Sequence, residues 1–395
     1  MKTVYLDNNA TTRVAPEVLE EMLPYFSDLY GNPSSMHRFG GQVGRKLAEA
    51  RERLANLLGA QPSEILFTSC GSESDNTAIR SALLARPDKR HIVTTRVEHP
   101  AVLSLCTHLE KREGYSVTYL GVDSEGRLDL DEYKAALTKD TAVAAIMWAN
   151  NETGVIYPVE EMAAIAAEHA VSFHTDAVQA VGKVPMDLEK SAITTLALSG
   201  HKLHAPKGVG ALYVRKGTPF RPFLIGGHQE RGRRAGTENT AGIIGLGKAA
   251  ELAGANIGHE NTAVRALRDR LEEGLLAAVP SSVRNGAKEP RLPNTTNISF
   301  GYVEGEAILL LLDELGICAS SGSACTSGSL EPSHVLRAMG VPFTFAHGSI
   351  RFSLSRYTTA ENIDYVLDGL PGVIENLRRI SPFHPGEGPK PACTC

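Results

Sequence analysis

Two residues, Asp176 and Lys202, close successive strand-like runs, and their side chains suit a bound cofactor ring that must hold negative charge. Lys202 ends Ser199-Gly-His-Lys, directly behind the apolar run 196–199. Desolvation at a buried strand end lowers an amine's pKa and frees it to form a Schiff base with a carbonyl. Ser199 and His201 add hydrogen-bonding groups for a phosphate, and Gly200 allows close backbone approach. Asp176 lies in Phe173-His-Thr-Asp-Ala-Val-Gln. A carboxylate there can pair with a protonated pyridine nitrogen and keep the ring electron-poor, and Gln179 can hydrogen-bond a ring oxygen. Alone, each residue has a plainer reading: a surface lysine, a helix-capping aspartate. Their placement at neighbouring strand ends favours the cofactor.

Four further sites extend this chemistry. Thr68-Ser-Cys-Gly71-Ser72-Glu-Ser reads as a strand turning tightly into a helix, whose first amides can bind a phosphate. It has neither the G-x-G-x-x-G nor the G-x-x-x-x-G-K spacing, which argues against dinucleotide and triphosphate binding. His99, in Val97-Glu-His-Pro, can stack on an aromatic ring, although strand-end histidines are more often structural. Cys325 sits in Ala319-Ser-Ser-Gly-Ser-Ala-Cys-Thr-Ser-Gly-Ser, a small and polar stretch with no apolar face to bury. A cysteine there is poorly suited to a core and well suited to an exposed nucleophile. Arg351, in Ile350-Arg-Phe-Ser-Leu, lies on a strand and can hold a carboxylate bidentately. Cys318 and Cys106 read as core packers, Cys70 as a small residue in the phosphate turn. Cys393 and Cys395 form a C-x-C pair without an assigned role. His201 and His204 lack a third ligand nearby in sequence, so no metal site is expected.

These residues need a scaffold that lines up strand ends. From about Glu64 onward short apolar runs alternate with helical patterns: 65–68, 91–97, 116–120, 142–148 and 171–175 as strands, with helices between. That alternation predicts an α/β fold with a mixed, mostly parallel sheet covered on both faces. After Leu196 come two adjacent strands, then a long helical pattern over 261–278 and a smaller α+β region. A domain boundary is expected near Pro280-Ser-Ser and a flexible tail over 381–395. Hydrophobic residues make up 42% of the 395, enough for a sizeable core, and the formal charge of −5 gives no reason to expect nucleic acid or an anionic membrane. With no spanning apolar run and no secretory signal pattern, the expected location is the cytoplasm.

The motifs together resemble the cysteine desulfurases of the NifS/IscS type, more the NifS side. They are Tyr5-Leu-Asp-Asn-Asn-Ala-Thr-Thr, Gly31-Asn-Pro-Ser-Ser, Asn150-Asn-Glu-Thr-Gly, His174-Thr-Asp-Ala-Val-Gln, Ser199-Gly-His-Lys, Arg234-Ala-Gly-Thr-Glu-Asn and Ser321-Gly-Ser-Ala-Cys-Thr-Ser-Gly. The resemblance implies a fold-type I homodimer that uses pyridoxal 5'-phosphate. It places Lys202 in the Schiff base, Asp176 at the pyridine nitrogen, Gln179 at the ring hydroxyl and His99 over the ring. Gly71, Ser72, Ser199 and His201 would contact the phosphate, with Thr237 reaching in from the other subunit. Asn151, beside the cofactor, and Arg351 would hold the substrate carboxylate, and residues up to about Thr12 would pack with the small domain. The division the resemblance implies is a large domain over 13–260 and a small domain from 1–12 and 261–380 carrying the cysteine loop.

The implied reaction takes sulfur from L-cysteine, leaving L-alanine and a persulfide on Cys325, with Lys202 moving the α-proton and His99 as the proton partner of the thiol. The implied acceptor is a NifU-like or IscU-like iron–sulfur scaffold, and the NifS side points to nitrogenase cluster assembly and nitrogen fixation. The tail after Pro382 does not resemble the scaffold-docking segment of the IscS side. Competing readings are an aminotransferase or a selenocysteine lyase on the same cofactor site, and a cysteine-based metal or cluster scaffold.

Overall fold

The structure is a computed structural model that describes residues 3–321 and 332–382. Cys325, Cys393, Cys395 and most of the predicted tail lie outside the described residues.

Seven strands form the central sheet: β2 (Ile65–Thr68), β3 (His91–Thr95), β4 (Ser116–Leu120), β5 (Thr141–Ala145), β6 (Ser172–Asp176), β7 (Thr195–Ser199) and β8 (Gly210–Val214). They follow a short first strand, β1 (Val4–Tyr5). Their order is β2-β8-β7-β6-β5-β3-β4. The pairings from β7 to β4 are parallel, and β8 runs antiparallel to both of its neighbours. Apolar runs such as Ala142-Val-Ala-Ala are buried on both faces because helices cover the sheet above and below. The fold is the expected mixed, mostly parallel α/β arrangement. Parallel pairing of β6 and β7 brings their C-terminal ends, Asp176 and Ser199 before Lys202, to one edge of the sheet. Ligands bind at such edges in open α/β sheets.

Two long helices, Arg38–Leu58 and Thr240–His259, pack on each other against the sheet. Gly247 is required at their closest approach, since a Cβ there would lie 2.5 Å from the Ala50 Cβ. The long helical pattern expected over 261–278 divides differently in the structure. The 240–259 helix continues through a π turn, Glu260–Val264, into Arg265–Ala278.

A second, antiparallel sheet of order β12-β10-β9 is built from β9 (Ser282–Arg284), β10 (Thr295–Phe300) and β12 (Ser349–Ser353). An apolar core packs around it, including Leu271, Phe300, Phe352 and Ile363. Val4 and Leu6 belong to that core, and β1 pairs in parallel with β11 (Ile317–Cys318). The main core is separate, but it also takes in Leu292, Val335 and Leu336 from the later part of the chain. Cys106 is buried as expected, whereas Cys318 is only half-buried because it sits on the two-stranded β1–β11 ribbon rather than inside a layer.

Candidate active site

A cavity of about 540 Å³ opens at the C-terminal edge of the sheet. Asp176, Gln179, Ser199, His201 and Lys202 line it, as do Gly71, Ser72, His99, Asn151 and Arg351. Thr237 does not. It lines another cavity, of about 140 Å³, beside Thr68, Ser69 and Arg234.

The floor of the cavity comes from strand ends. Asp176 accepts the Val178 amide at 2.9 Å through Oδ1, and burial pushes its carboxyl up against the pull of His99 and Lys202. Beneath it lies a second acid, Asp75, within 3.1 Å of His174 Nε2, and His174 Nδ1 meets Thr195 Oγ1 at 2.9 Å. Burial drives His174 down to about 3 and Asp75 well up. The His174 ring is therefore neutral at pH 7, and the nearby Asp176 adds to the push on Asp75. Lys202 reaches out over this floor, donating to the backbone carbonyl of Ala10 at 2.7 Å and to that of Asn9.

One wall is the N-terminus of the Gly71–Ala85 helix. Its N-cap residue, Cys70, provides no side-chain cap, so the first-turn amides are left for a ligand. Only glycine fits at 71, since a Cβ would come within 2.7 Å of Val178 Cγ2. Ser199 lies next to Gly71, and His201, whose Nδ1 meets Thr11 Oγ1 at 3.1 Å, lines the same cavity. Burial and the neighbouring Lys202 and Lys207 lower His201 to about 4, so it is a neutral hydrogen-bonding group there. His204, considered as its metal partner, instead meets the Arg13 carbonyl at 3.0 Å and lies edge-on to Tyr357.

The opposite wall is assembled from distant parts of the chain. Arg351, on β12, donates to Asp7 Oδ1 at 2.9 Å and to the Asn151 carbonyl at 3.1 Å, while its buried Nε has no partner among the described residues. Arg351 is thus a buried, held guanidinium rather than a surface ion pair. Arg356, which parity placed on the far face of that strand, lies past its end at Ser353 and covers the Tyr357 ring. Asn9 joins the walls: its side chain donates to Thr295 Oγ1 and the Asn151 carbonyl, and its carbonyl accepts from Gln179 Nε2.

His99 is the N-cap of the Pro100–Glu113 helix, and its Nδ1 accepts the Ala101 amide at 3.1 Å. Burial lowers its pKa, with Asp176 opposing. The ring is therefore neutral with its proton on Nε2. It can donate into the cavity but accepts a proton only by giving up its cap. That differs from the expectation that His99 takes the thiol's proton.

Several cavity residues were not singled out from sequence. Asp7 and Asn9 sat in a recognised motif without a role, as did Glu152. Glu98, next to His99, is fully buried. Its carboxylate accepts from Thr95 Oγ1 at 2.8 Å and the Met147 amide at 3.0 Å, and burial pushes it up to about 8. Glu152, raised by burial to about 7, accepts from Ser333 Oγ at 2.5 Å. Ser333 and His334 follow the undescribed segment in sequence, and nothing in their local pattern signals that they return to the cavity.

The family model for aminotransferase class V matches residues 4–366. The chain belongs to this family. The cysteine desulfurase NifS of Azotobacter vinelandii is 63% identical over 390 residues, covering 98% of this chain and 97% of that protein. A cysteine desulfurase of a Nostoc species is 63% identical over 386 residues, covering 97% and 96%. Among solved structures, a NifS-like protein superposes with a TM-score of 0.89 at 41% identity, over 95% of this chain and all of that one. A structure described as SspA in complex with cysteine gives 0.80 at 37%, over 90% of this chain and all of that one.

Enzymes of this family depend on pyridoxal 5'-phosphate, and the cavity fits that group. Gln179 Oε1 is buried without a partner among the described residues, and Asp176 has one carboxylate oxygen engaged. The uncapped helix end at Gly71 supplies an anion site, and Lys202 and Asp176 line the same cavity. These are the contacts that a ring hydroxyl, a ring nitrogen, a phosphate and an aldehyde require.

Proposed function

We propose that this cysteine desulfurase removes sulfur from L-cysteine in the 540 Å³ cavity, releases L-alanine and leaves a persulfide on Cys325. The observation that carries this reading is the joint placement of Asp176, Lys202 and a buried, strand-held Arg351 around one cavity. The cysteine bound by the structural relative SspA supports the choice of substrate.

Lys202 would hold pyridoxal 5'-phosphate, with Asp176 at the ring nitrogen, Gln179 at the ring hydroxyl, and Gly71, Ser72, Ser199 and His201 at the phosphate. When bound, that group stabilises negative charge at the substrate's α-carbon. Lys202 Nζ, aimed by the carbonyls of Asn9 and Ala10, takes and returns the proton at that carbon. Arg351 and Asn151 hold the substrate carboxylate; Arg351 must share or release Asp7 to do so, which couples residues near the start of the chain to substrate entry. His99 covers the ring, its plane set by the cap to Ala101, and offers Nε2–H. Cys325, as thiolate, attacks the substrate sulfur; the new S–S bond forms as the substrate's Cβ–S bond breaks, and the electron pair stays on the carbon that is protonated to become the methyl of L-alanine.

Thr237 lines its own cavity instead of the main one, which supports a homodimer in which it serves the other subunit. The separate apolar cores support a large unit over 13–260 and a smaller one from 1–12 and 261–380. A NifU-like or IscU-like scaffold is the acceptor we assign, and similarity to the Azotobacter NifS supports a role in nitrogenase cluster assembly. No helix among the described residues is long and apolar enough to cross a membrane, and we place the enzyme in the cytoplasm.

The test is a visible spectrum of the purified protein, then L-cysteine with a thiol and assays for sulfide and alanine. Equal sulfide and alanine are expected. Cys325→Ala should keep the cofactor band and lose sulfide release. Normal release by that variant would remove Cys325 as nucleophile, and a cofactor band without sulfide in the wild type would move the reaction elsewhere.

A further inference from the structure

Of the three histidines that line the cavity, His99 and His334 have free nitrogens that differ in kind. His99 uses the Nδ1 lone pair to cap its helix and keeps its proton on Nε2. His334, at the start of the His334–Ala338 helix, does the reverse. Its Nε2 lies 2.9 Å from the backbone carbonyl of Glu98, a group that can only accept. Nε2 must therefore carry the proton, and Nδ1 carries a lone pair. Among the described residues Nδ1 has no hydrogen-bond partner, and His334 lines the cavity. Ser333 fixes the helix start on both sides, capping Val335 and Leu336 and donating to the buried Glu152.

We propose that His334 Nδ1 is the proton acceptor for the thiol of L-cysteine in this cavity, with His99 as the donor beside it. This rests on the desulfurase reading above. In the step, the thiol S–H bond breaks, its electron pair stays on sulfur, and the proton bonds to Nδ1. The products are a thiolate and an imidazolium, and nothing is oxidised or reduced. The arrangement separates the two roles without either ring changing tautomer.

The charged and titratable groups around His334 come from every neighbouring element. Arg337 on its own helix disfavours the imidazolium, and His99 couples to it across the cavity. The Glu98 carbonyl favours the imidazolium, while the Glu98 carboxyl turns away to Thr95 and Met147. Glu152 lies behind Ser333, and Asp176 and Lys202 stand at the floor. Burial is the largest influence and lowers the His334 pKa from its ordinary value, so the lone pair persists below neutral pH.

The experiment is His334→Gln in the holoenzyme, since glutamine can still donate to the Glu98 carbonyl but offers no base. Expected are an unchanged cofactor band, a KM for L-cysteine close to wild type, and a kcat for sulfide release lowered roughly 10²-fold at pH 7. The lost rate should return as pH approaches the thiol's own ionisation, about 8.5, whereas wild type stays flat through neutral pH. A wild-type kcat in the variant, or a loss equal at every pH, would overturn the proposal while leaving the desulfurase reading intact. A wild-type enzyme that releases no sulfide would overturn both. Long-range 1H–15N NMR of the wild-type apoprotein reads the tautomer directly: Nε2–H is expected for His334, and Nδ1–H at pH 7 would refute the assignment whatever the variant does.

Discussion

The floor and the far wall of the cavity are built by different means. On the floor, Asp176 and Lys202 follow consecutive parallel strands, β6 and β7, and their positions are fixed by the sheet itself. On the far wall, Asp7, Asn9, Asn151, Ser333 and Arg351 come from four separated stretches, and each stretch is set by hydrogen bonds to another. Sheet geometry tolerates the loss of one side-chain contact, whereas a wall of mutual hydrogen bonds does not. The floor is thus a rigid place for chemistry, and the wall is a place for selection, where a substrate carboxylate competes with Asp7 for one guanidinium.

Perturbing the floor should stop the reaction, and perturbing the wall should weaken binding. Lys202→Ala should cost on the order of 10⁴-fold or more in sulfide release and abolish the visible cofactor band. A variant retaining the band would separate Lys202 from the cofactor. Arg351→Lys keeps the charge but not the fork, and should raise KM for L-cysteine by roughly 10–100-fold with a smaller change in kcat. A loss confined to kcat would make the wall part of the chemistry and erase the distinction.

Two milder changes sharpen the contrast through stability. Asn9→Ala removes one hydrogen bond from each of the buried Thr295 and Asn294 side chains and should cost about 1–3 kcal/mol by denaturant unfolding. Near-wild-type stability would mean that the wall repacks freely. The smallest effect concerns Glu98. Its folded pKa, about 8, lies above the ordinary 4.5. Between those values the folded state keeps a proton that the unfolded chain releases, so stability falls as pH rises, by about 1.4 kcal/mol per pH unit at most. Glu98→Gln removes this term. Wild type should therefore lose stability relative to the variant between pH 6 and 7, and a constant difference would place the Glu98 pKa outside that window.

The same contrast explains what was legible in the sequence. Strand 116–120, strand 210–214 and the lysine and aspartate at their strand ends were readable because apolar runs and turns are local signals. The 38–58 and 240–259 helices were not read. The second is so rich in glycine and alanine that its buried face shows little period, and its tight packing on Ala50 is a tertiary fact. Asp75, Glu98 and Glu152 look like ordinary caps until their burial is known. His334 carries no local mark, since its tautomer is set by a carbonyl 236 residues away.

Asn9 receives its backbone partner, Ser353 Oγ, across a separation of 344 residues, and Val4 pairs with Ile317. At a synthesis rate of about 5–20 residues per second, that interval is on the order of tens of seconds. For that time the carbonyls that aim Lys202 are tethered without Ser353, through Asn151, Gln179 and His201, although both central strands are already made. A nascent chain can thus complete its sheet long before the segment that aims its lysine gains its final anchor. The last strand to be translated is the one that finishes the holder of a residue made about 150 positions earlier.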